Sequence, residues 1–347
     1  MNDQREATLQ KMISPGMPRV GKPMNGVIQI HITRTCDKAC FGCTQGSNLG
    51  GKSEFITLGN FEQACLSLRN YFGIVGIFGG NPALHPEFPE LCRILRQYIP
   101  MPRRGLWCNH PKGNGIHMRG TFNPAVSNLN VHMDQEAYNE FKRDWPKSNP
   151  FGLQKFSRHS PVYTAMQDLI PDEDERWRLI SECDINQHWS AMVAQFRGEL
   201  RGYFCEIAGA QSILHQYEED YPDTGALVVC PNCNNTGKVE TYRGEPSQGT
   251  EIVTCKFCKG RQWWEGTMDD FSQQVDFHCH GCGVPMRGYG ELDQASEKSG
   301  VEQVTETHQG IYKPKRKERL VQLVINRNEL KEQSLKKTTH YVQNADS

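Results

Sequence analysis

The chain has 347 residues, of which 37% are hydrophobic and 23% charged, the composition of a globular protein with ample core material. Its 39 basic and 40 acidic residues leave a formal net charge of −1, which gives no reason to expect a nucleic-acid or membrane-surface partner. The polar start lacks the apolar core of a signal peptide, and no apolar run approaches the length of a membrane span. These features predict a cytoplasmic protein whose 14 cysteines stay reduced and favour metal binding over disulfides.

Strand-like and helix-like patterns alternate through the first half of the chain, after a loose Pro- and Gly-rich N-terminal segment at 1–25. Short apolar runs predict buried strands, and stretches with helical spacing follow them. The predicted strands are 27–33, 74–78, 104–108, 127–133 and 161–169, and the predicted helices are 58–72, 85–99, 134–145 and 172–183. This alternation predicts parallel strands joined by helical crossovers, and therefore an α/β fold.

The pattern changes near residue 190, where WSAMVAQF and LRGYFC flank RGE and predict an antiparallel hairpin. A predicted helix at 206–217, a polar cysteine-rich segment and a helix at 268–277 follow. The tail at 291–347 is polar and carries a basic cluster at 313–319, a candidate edge strand at 320–325 and an end that we expect to be disordered. Because no aromatic residues interleave the basic cluster, we interpret it as a solvated surface and not as a nucleic-acid site.

Three cysteines follow the first predicted strand in a C-x-x-x-C-x-x-C pattern: Cys36, Cys40 and Cys43. A closed zinc site and a fully ligated iron–sulfur cluster both take four protein ligands. Three thiolates would instead leave one iron of a four-iron cluster open to a small molecule. A zinc site with a remote fourth ligand, or three unrelated thiols, are the alternatives.

This cysteine spacing, directly after the first strand of an alternating α/β sequence, resembles the signature of radical S-adenosylmethionine (radical SAM) enzymes. A second motif agrees, because GIFGGNP (76–82) ends the second strand as the GGEP-like motif of that family does. The resemblance implies that Cys36, Cys40 and Cys43 hold a catalytic 4Fe-4S cluster whose open iron binds S-adenosylmethionine. Reductive cleavage of that cofactor would then give a 5′-deoxyadenosyl radical that abstracts hydrogen from the substrate.

The same resemblance assigns the residues that contact the cofactor. Gly79, Gly80, Asn81 and Pro82 would contact its methionine end, and Asn109, after the third strand, could face it. The family often has Glu at the Asn81 position.

The resemblance covers 26–200 and implies a partial (β/α)6 barrel whose active site lies at the carboxyl ends of the strands. The family usually has an aromatic residue immediately before the third cysteine, whereas here that residue is Gly42 and Phe41 lies one position earlier. The role of Phe41 therefore stays open. We interpret Cys108 as a buried thiol at a strand end.

A second set of cysteines resembles the SPASM/twitch extension of radical SAM enzymes, in which a hairpin and a helix hold an auxiliary 4Fe-4S cluster. The set is Cys183, Cys205, Cys279 and Cys282. The extension would span 183–290, and its cysteines suffice for one fully ligated, twitch-like cluster. The alternative is that Cys183 and Cys205 are ordinary buried thiols. His278 and His280 flank Cys279 and are candidate substitutes for a cysteine ligand.

Two C-x-x-C pairs, Cys230/Cys233 and Cys255/Cys258, are a strong signal of a structural zinc site. They resemble zinc ribbons and the cysteine-rich repeats of J-domain co-chaperones. We interpret 228–262 as an inserted four-cysteine module in which zinc stabilises a segment too small for its own core. A role in gripping a substrate or partner, and an iron–sulfur cluster in place of zinc, both stay open.

These patterns together predict a radical SAM enzyme, oxidoreductase-like, with two 4Fe-4S clusters, S-adenosylmethionine and Zn²⁺. A flavodoxin or ferredoxin would supply electrons. The substrate class (peptide, carbohydrate or small molecule) and the choice among oxidation, epimerisation, methyl transfer and cross-linking are left open. The alternative is a non-catalytic iron–sulfur and zinc protein that acts as a redox sensor and binds nucleic acid or a partner. That protein would not cleave S-adenosylmethionine, and its affinity for nucleic acid would depend on salt.

Overall fold

The computed structural model describes residues 3–12, 27–38, 43–47, 53–132, 134–151, 166–183, 191–230, 233–234, 238–242, 250–255 and 268–285. The helices are α1 (Asp3–Met12), α2 (Leu58–Leu68), α3 (Phe88–Tyr98), α4 (Gly115–Arg119), α5 (Gln135–Asp144), α6 (Met166–Leu169), α7 (Glu173–Ser181), α8 (Glu206–His215) and α9 (Met268–His278). The strands are β1 (Val27–Thr33), β2 (Ile74–Gly79), β3 (Arg104–Leu106), β4 (Leu129–Asn130), β5 (Pro150–Phe151), β6 (Ala191–Phe196), β7 (Glu199–Tyr203), β8 (Ala226–Leu227), β9 (Lys238–Tyr242) and β10 (Thr250–Thr254). Single 3-10 turns span Pro82–Leu84, Met101–Arg103 and Pro124–Val126.

A mainly parallel sheet forms the centre of the molecule, with the strand order β3-β2-β1-β6-β7-β8. β1 pairs in parallel with β2 and β6, and β2 pairs in parallel with β3. β7 and β8 are antiparallel additions. A single β-bridge between Trp107, which follows β3, and Asn128, which precedes β4, connects the sheet to the short parallel pair formed by β4 and β5. The α/β fold expected from the sequence is thus observed.

The predicted hairpin is present as β6 and β7. It lies beside β1, a position that differs from the one expected in the predicted barrel. In a barrel built in chain order, β6 would pair with the parallel strand that precedes it. Here β6 pairs with β1. An uncovered edge of β1 would expose a row of unpaired backbone groups, and the hairpin supplies their partners. The described residues form this open sheet, and the partial (β/α)6 barrel stays a prediction.

Two segments differ from the sequence-based expectation. Residues 166–169 of the predicted strand 161–169 form a helical turn, and 161–165 lie outside the described residues. Met166 and Ile170 are both buried four positions apart, which is a helical spacing. The N-terminal segment, expected to be loose, contains α1, whose Thr8 hydroxyl donates to the carbonyl of Trp177 at 3.2 Å. Packing against α7 therefore stabilises a helix that its own weak apolar pattern does not predict.

The sheet buries a separate apolar cluster on each face. On one face, Ile28, Ile30 and Ile32 of β1 pack with apolar residues of α2 and α3. On the other face, residues of β2 and β6 pack with α1, α7, α8 and α9. Among the residues that the structure describes, no helix has both the length and the apolar character needed to cross a bilayer.

The cysteine-rich insertion contributes its own two-stranded antiparallel sheet, β9 and β10. The small cluster beside it consists of three buried cysteines and the partly buried Val239. So few apolar side chains form little core, as expected for a segment that depends on a metal. The tail at 291–347, including 313–319 and 320–325, lies outside the described residues.

We expect Gly76→Ala to lower the free energy of unfolding by about 1–3 kcal/mol, because the added methyl group would overlap the Trp107 ring over the sheet. Gly59→Ala is the control, since a methyl group there meets no atom within 4 Å and alanine favours the helix. The two variants are compared by urea denaturation at equal metal content. Equal stabilities for the two variants would contradict the packing around Gly76.

Candidate functional site

The end of β1 and the end of β2 are hydrogen-bonded to each other just before the three-cysteine loop. The amide of Gly80 donates to the carbonyl of Thr33, and the amide of Asn81 donates to the carbonyl of Thr35, both at 2.8 Å. Cys36 is the next residue along the chain. The GGNP loop and the first cysteine therefore meet at the carboxyl edge of the parallel sheet, where ligands of α/β proteins bind.

The two glycines of that loop are required by this close approach. A methyl group on Gly79 would overlap the carbonyl oxygen of Thr33, and one on Gly80 would overlap the carbonyl oxygen of Thr35. Backbone atoms cannot move aside as a flexible side chain can. The glycines thus have a packing role at this edge in addition to any contact with a ligand.

Two hydrogen-bond donors reach the sulfur of Cys36, one from the segment after β3 and one from the cysteine loop itself. Nδ2 of Asn109, which follows β3, lies 3.3 Å from Sγ, and the amide of Lys38 lies 3.4 Å from it. Asn109 is only 7% exposed, and its Oδ1 has no hydrogen-bond partner among the residues that the structure describes. Cys43 is half-buried, and Cys40 lies outside the described residues.

Burial, with a smaller contribution from Cys43, raises the pKa of Cys36 to about 12. The bare thiol is therefore neutral at pH 7, and a metal that binds it must displace its proton. The two donors to its sulfur would stabilise the resulting thiolate. The donor set at this edge thus suits a thiolate-ligated metal group.

The side chain of Asn81 ties the ends of β2 and β3 together. Its Oδ1 accepts from the amide of Ala83 and from the thiol of Cys108, both at 3.2 Å. Its Nδ2 donates to the carbonyl of His110 at 3.1 Å. Both polar atoms of this side chain are therefore already bonded within the protein, and the loop turns into the 3-10 helix at Pro82. Cys108 is buried at the strand end, in agreement with its interpretation as a structural thiol.

Ion pairs that the sequence patterns did not reveal surround the cysteine loop. Asp37 pairs with Lys112, and Lys38 pairs with Asp134, each at 2.6 Å. Burial opposes the ionisation of Asp37, but the hydrogen bond and charge of Lys112 together with the charge of Lys38 outweigh that cost and lower its pKa. These residues follow β1, β3 and β4. Their position just after a strand is the only feature of the sequence that could have indicated a place in the site.

The four cysteines of the predicted auxiliary site line one cavity. Cys183 follows α7, and Cys205 caps the N-terminus of α8, where its sulfur accepts from the amide of Ile207 at 3.3 Å. Cys279 and Cys282 lie at the end of α9, and all four thiols are buried. Burial raises the pKa of Cys205 to about 12, and it raises that of Cys282 well above its usual range.

The two histidines beside Cys279 are engaged elsewhere. His278 has one ring nitrogen 2.8 Å from Oε1 of Gln211 and the other 2.9 Å from the hydroxyl of Thr224. Nδ1 of His280 accepts from Nε of Arg176 at 3.2 Å. His278 therefore has no nitrogen left for a metal, and the cysteines are the available ligands at this cavity.

Three cysteines of the inserted module come together with metal-like spacing. The sulfurs of Cys230, Cys233 and Cys255 all lie within 4.8 Å of one another, and those of Cys230 and Cys255 are 3.9 Å apart. Zn–S bonds of ~2.3 Å in a tetrahedron hold sulfurs about 3.8 Å apart. Thiolates of a 4Fe-4S cluster bind separate irons and lie further apart. The spacing therefore fits a single ion. Cys258 lies outside the described residues.

A cavity of about 520 Å³ opens at the carboxyl ends of β1 and β6. Its polar lining includes His31, Gln195, Arg197, Gln216 and Tyr217. His31 is buried, burial lowers its pKa to about 3, and its Nε2 has no hydrogen-bond partner among the described residues. His31 is not among the site residues predicted from the sequence. The one feature of the sequence that could have indicated it is a polar residue inside a buried strand.

No protein-family model matches the chain, and no curated protein matches it. Among solved structures, the chain is similar to BtrN, determined as a crystal structure in complex with AdoMet and 2-DOIA. The sequence identity is 14%, the match covers 58% of this chain and 85% of that chain, and the TM-score is 0.38. A similarity this distant carries no argument about the reaction of this protein, which is therefore inferred from its motifs and geometry.

We expect Cys255→Ala to remove about one equivalent of zinc from the protein while leaving its iron content unchanged, because it removes one of three sulfurs that lie close enough to share an ion. Cys65→Ala is the matched control, since Cys65 is buried in the apolar face of α2 and should leave both metal contents unchanged. Metal analysis by plasma mass spectrometry measures both. Iron loss in Cys255→Ala would instead assign an iron–sulfur cluster to this module.

Proposed function

We propose that the protein is a radical S-adenosylmethionine enzyme. The observation that supports it best is the meeting of Cys36, the GGNP loop and Asn109 at the ends of three neighbouring strands. These residues come from separate parts of the sequence and match separate motifs of that family. A 4Fe-4S cluster bound by Cys36, Cys40 and Cys43 would supply the electron that cleaves S-adenosylmethionine and so starts hydrogen abstraction from the substrate.

The chain itself would bind and orient the groups at this edge. Asn109 and the amide of Lys38 hold the sulfur of Cys36 in one position. Oδ1 of Asn109, which has no partner among the residues that the structure describes, offers an acceptor to an N–H or O–H group of a bound ligand. The ion pairs of Asp37 and Asp134 with lysines keep the rim of the loop near charge balance.

The remaining parts of the proposal concern the extension. Cys183, Cys205, Cys279 and Cys282 would hold a second 4Fe-4S cluster that transfers electrons, and Zn²⁺ would stabilise the inserted module. Flavodoxin or ferredoxin would be the reductant in a cytoplasmic setting. The substrate would be a peptide, carbohydrate or small molecule, for which the cavity beside β1 and β6 offers room.

The first experiment uses the full chain, reconstituted anaerobically with iron and sulfide, reduced with dithionite and supplied with S-adenosylmethionine. We expect 5′-deoxyadenosine, detected by mass spectrometry, together with about eight irons and one zinc per chain. The variant with Cys36, Cys40 and Cys43 changed to Ala should lose about four irons and all cleavage while keeping its zinc.

The control for that variant changes Cys65 and Cys92 to Ala, two cysteines buried on the apolar faces of α2 and α3. It should keep its iron and its cleavage activity. Cleavage by the triple variant at the wild-type rate would refute the proposed function. Zinc alone in the reconstituted wild type, without cleavage, would point to the non-catalytic alternative.

Asn109→Leu should weaken the binding of S-adenosylmethionine by roughly tenfold, or ~1.4 kcal/mol, because it removes both the donor to Cys36 and the unpaired acceptor. Leucine has a similar volume, so we expect the fold to be retained. Equilibrium binding to the reconstituted protein measures the change, and Asn123→Leu at a surface turn is the control. Unchanged affinity in Asn109→Leu would show that Asn109 does not face the cofactor.

A further inference from the structure

The cavity walled by the four extension cysteines contains one polar side chain with an unused donor. Gln211, on α8, lines this cavity and is only 4% exposed. Its Nε2 has no hydrogen-bond partner among the residues that the structure describes. A buried amide nitrogen without an acceptor is unfavourable, so its presence among thiols calls for an acceptor that occupies the cavity.

The orientation of that amide is set by a short chain of hydrogen bonds. Oε1 of Gln211 lies 2.8 Å from Nδ1 of His278, and an amide oxygen can only accept, so Nδ1 carries the proton. The other ring nitrogen faces the hydroxyl of Thr224 at 2.9 Å. The chain therefore runs from Thr224 through His278 to Gln211 and leaves the two N–H bonds of the amide for the cavity.

The opposite orientation of the amide is disfavoured once the cysteines bind a metal group. It would turn the carbonyl oxygen of Gln211 towards thiolate or sulfide sulfur, and both atoms carry negative charge. An N–H group in the same place is attracted to that sulfur, and the low polarity of the buried site strengthens the interaction.

We propose that Gln211 is a positioning residue that donates an N–H···S hydrogen bond to the cluster held by Cys183, Cys205, Cys279 and Cys282, and that this bond raises the reduction potential of that cluster. The inference rests on the auxiliary site in the proposed function. A donor to sulfur stabilises the reduced cluster more than the oxidised one, because reduction adds negative charge.

The test isolates the auxiliary cluster by working in the variant with Cys36, Cys40 and Cys43 changed to Ala. An electrochemical titration followed by electron paramagnetic resonance (EPR) measures the midpoint potential with Gln211 intact and with Gln211→Met. We expect methionine, which fills a similar volume without a donor, to shift the reduction equilibrium about tenfold towards the oxidised cluster, or ~59 mV. The amide of Ile207 donates to the sulfur of Cys205 and supplies one exchangeable proton near the cluster. Pulsed EPR should show a further exchangeable coupling beyond it that disappears in Gln211→Met.

A second variant keeps the test decisive if Gln211→Met disturbs folding. Gln211→Glu retains an oxygen acceptor for His278 and places a carboxylate oxygen where the N–H groups were, so the potential should fall at least as far. Gln274→Met is the matched control. Gln274 is also buried, but it accepts from the amide of Phe204 at 2.9 Å and donates to the carbonyl of Gly202 at 3.0 Å. Its replacement should leave the potential unchanged.

Unchanged potentials and an unchanged set of exchangeable couplings in both Gln211 variants would overturn the inference. Absence of any cluster from the triple-cysteine background would also overturn it, while cleavage of S-adenosylmethionine by the wild-type protein would still stand. Conversely, a Gln211-dependent potential in a protein that never cleaves S-adenosylmethionine would uphold this inference and refute the proposed function.

Discussion

The backbone contact between the ends of β1 and β2 is the constraint on which the candidate site depends. Two amides of the GGNP loop donate to carbonyls at the end of β1, and this contact is close enough that neither Gly79 nor Gly80 tolerates a side chain. On its other side β1 is paired with β6 over Ile28–Ile30, which holds the body of the strand in register behind this contact. Cys36 is therefore held at one place on the edge of the sheet.

From that edge the site extends across the neighbouring strands. The segment after β3 brings Asn109 to the sulfur of Cys36 and Lys112 to Asp37. The start of α5, after β4, brings Asp134 to Lys38. Each contact joins residues far apart in the chain, and each follows from the parallel direction of the strands, which places all their carboxyl ends together.

The candidate metal-ligating cysteines of the protein fall into three settings with different physical demands. At the inserted module three sulfurs lie close enough for one ion, in a segment with little core of its own. Around the extension cavity the thiols are buried within the second apolar cluster of the sheet, and burial raises the pKa of Cys205 and Cys282 and so favours their neutral form. Cys36 and Cys43 are less buried and belong to a loop at the edge of the sheet, where a ligand can approach.

The amino-acid sequence by itself determined the local features of this protein. Alternating apolar runs and helical spacings predicted β1, β2, α2, α3, the β6–β7 hairpin and the α/β class, because these patterns depend on neighbouring residues. The short cysteine spacings indicated metal binding for the same reason. Tertiary structure alone decided that β6 lies beside β1, that α1 folds against α7, and that Gln211 faces the extension cysteines. Those outcomes depend on contacts between distant segments, which leave no periodic pattern in the sequence.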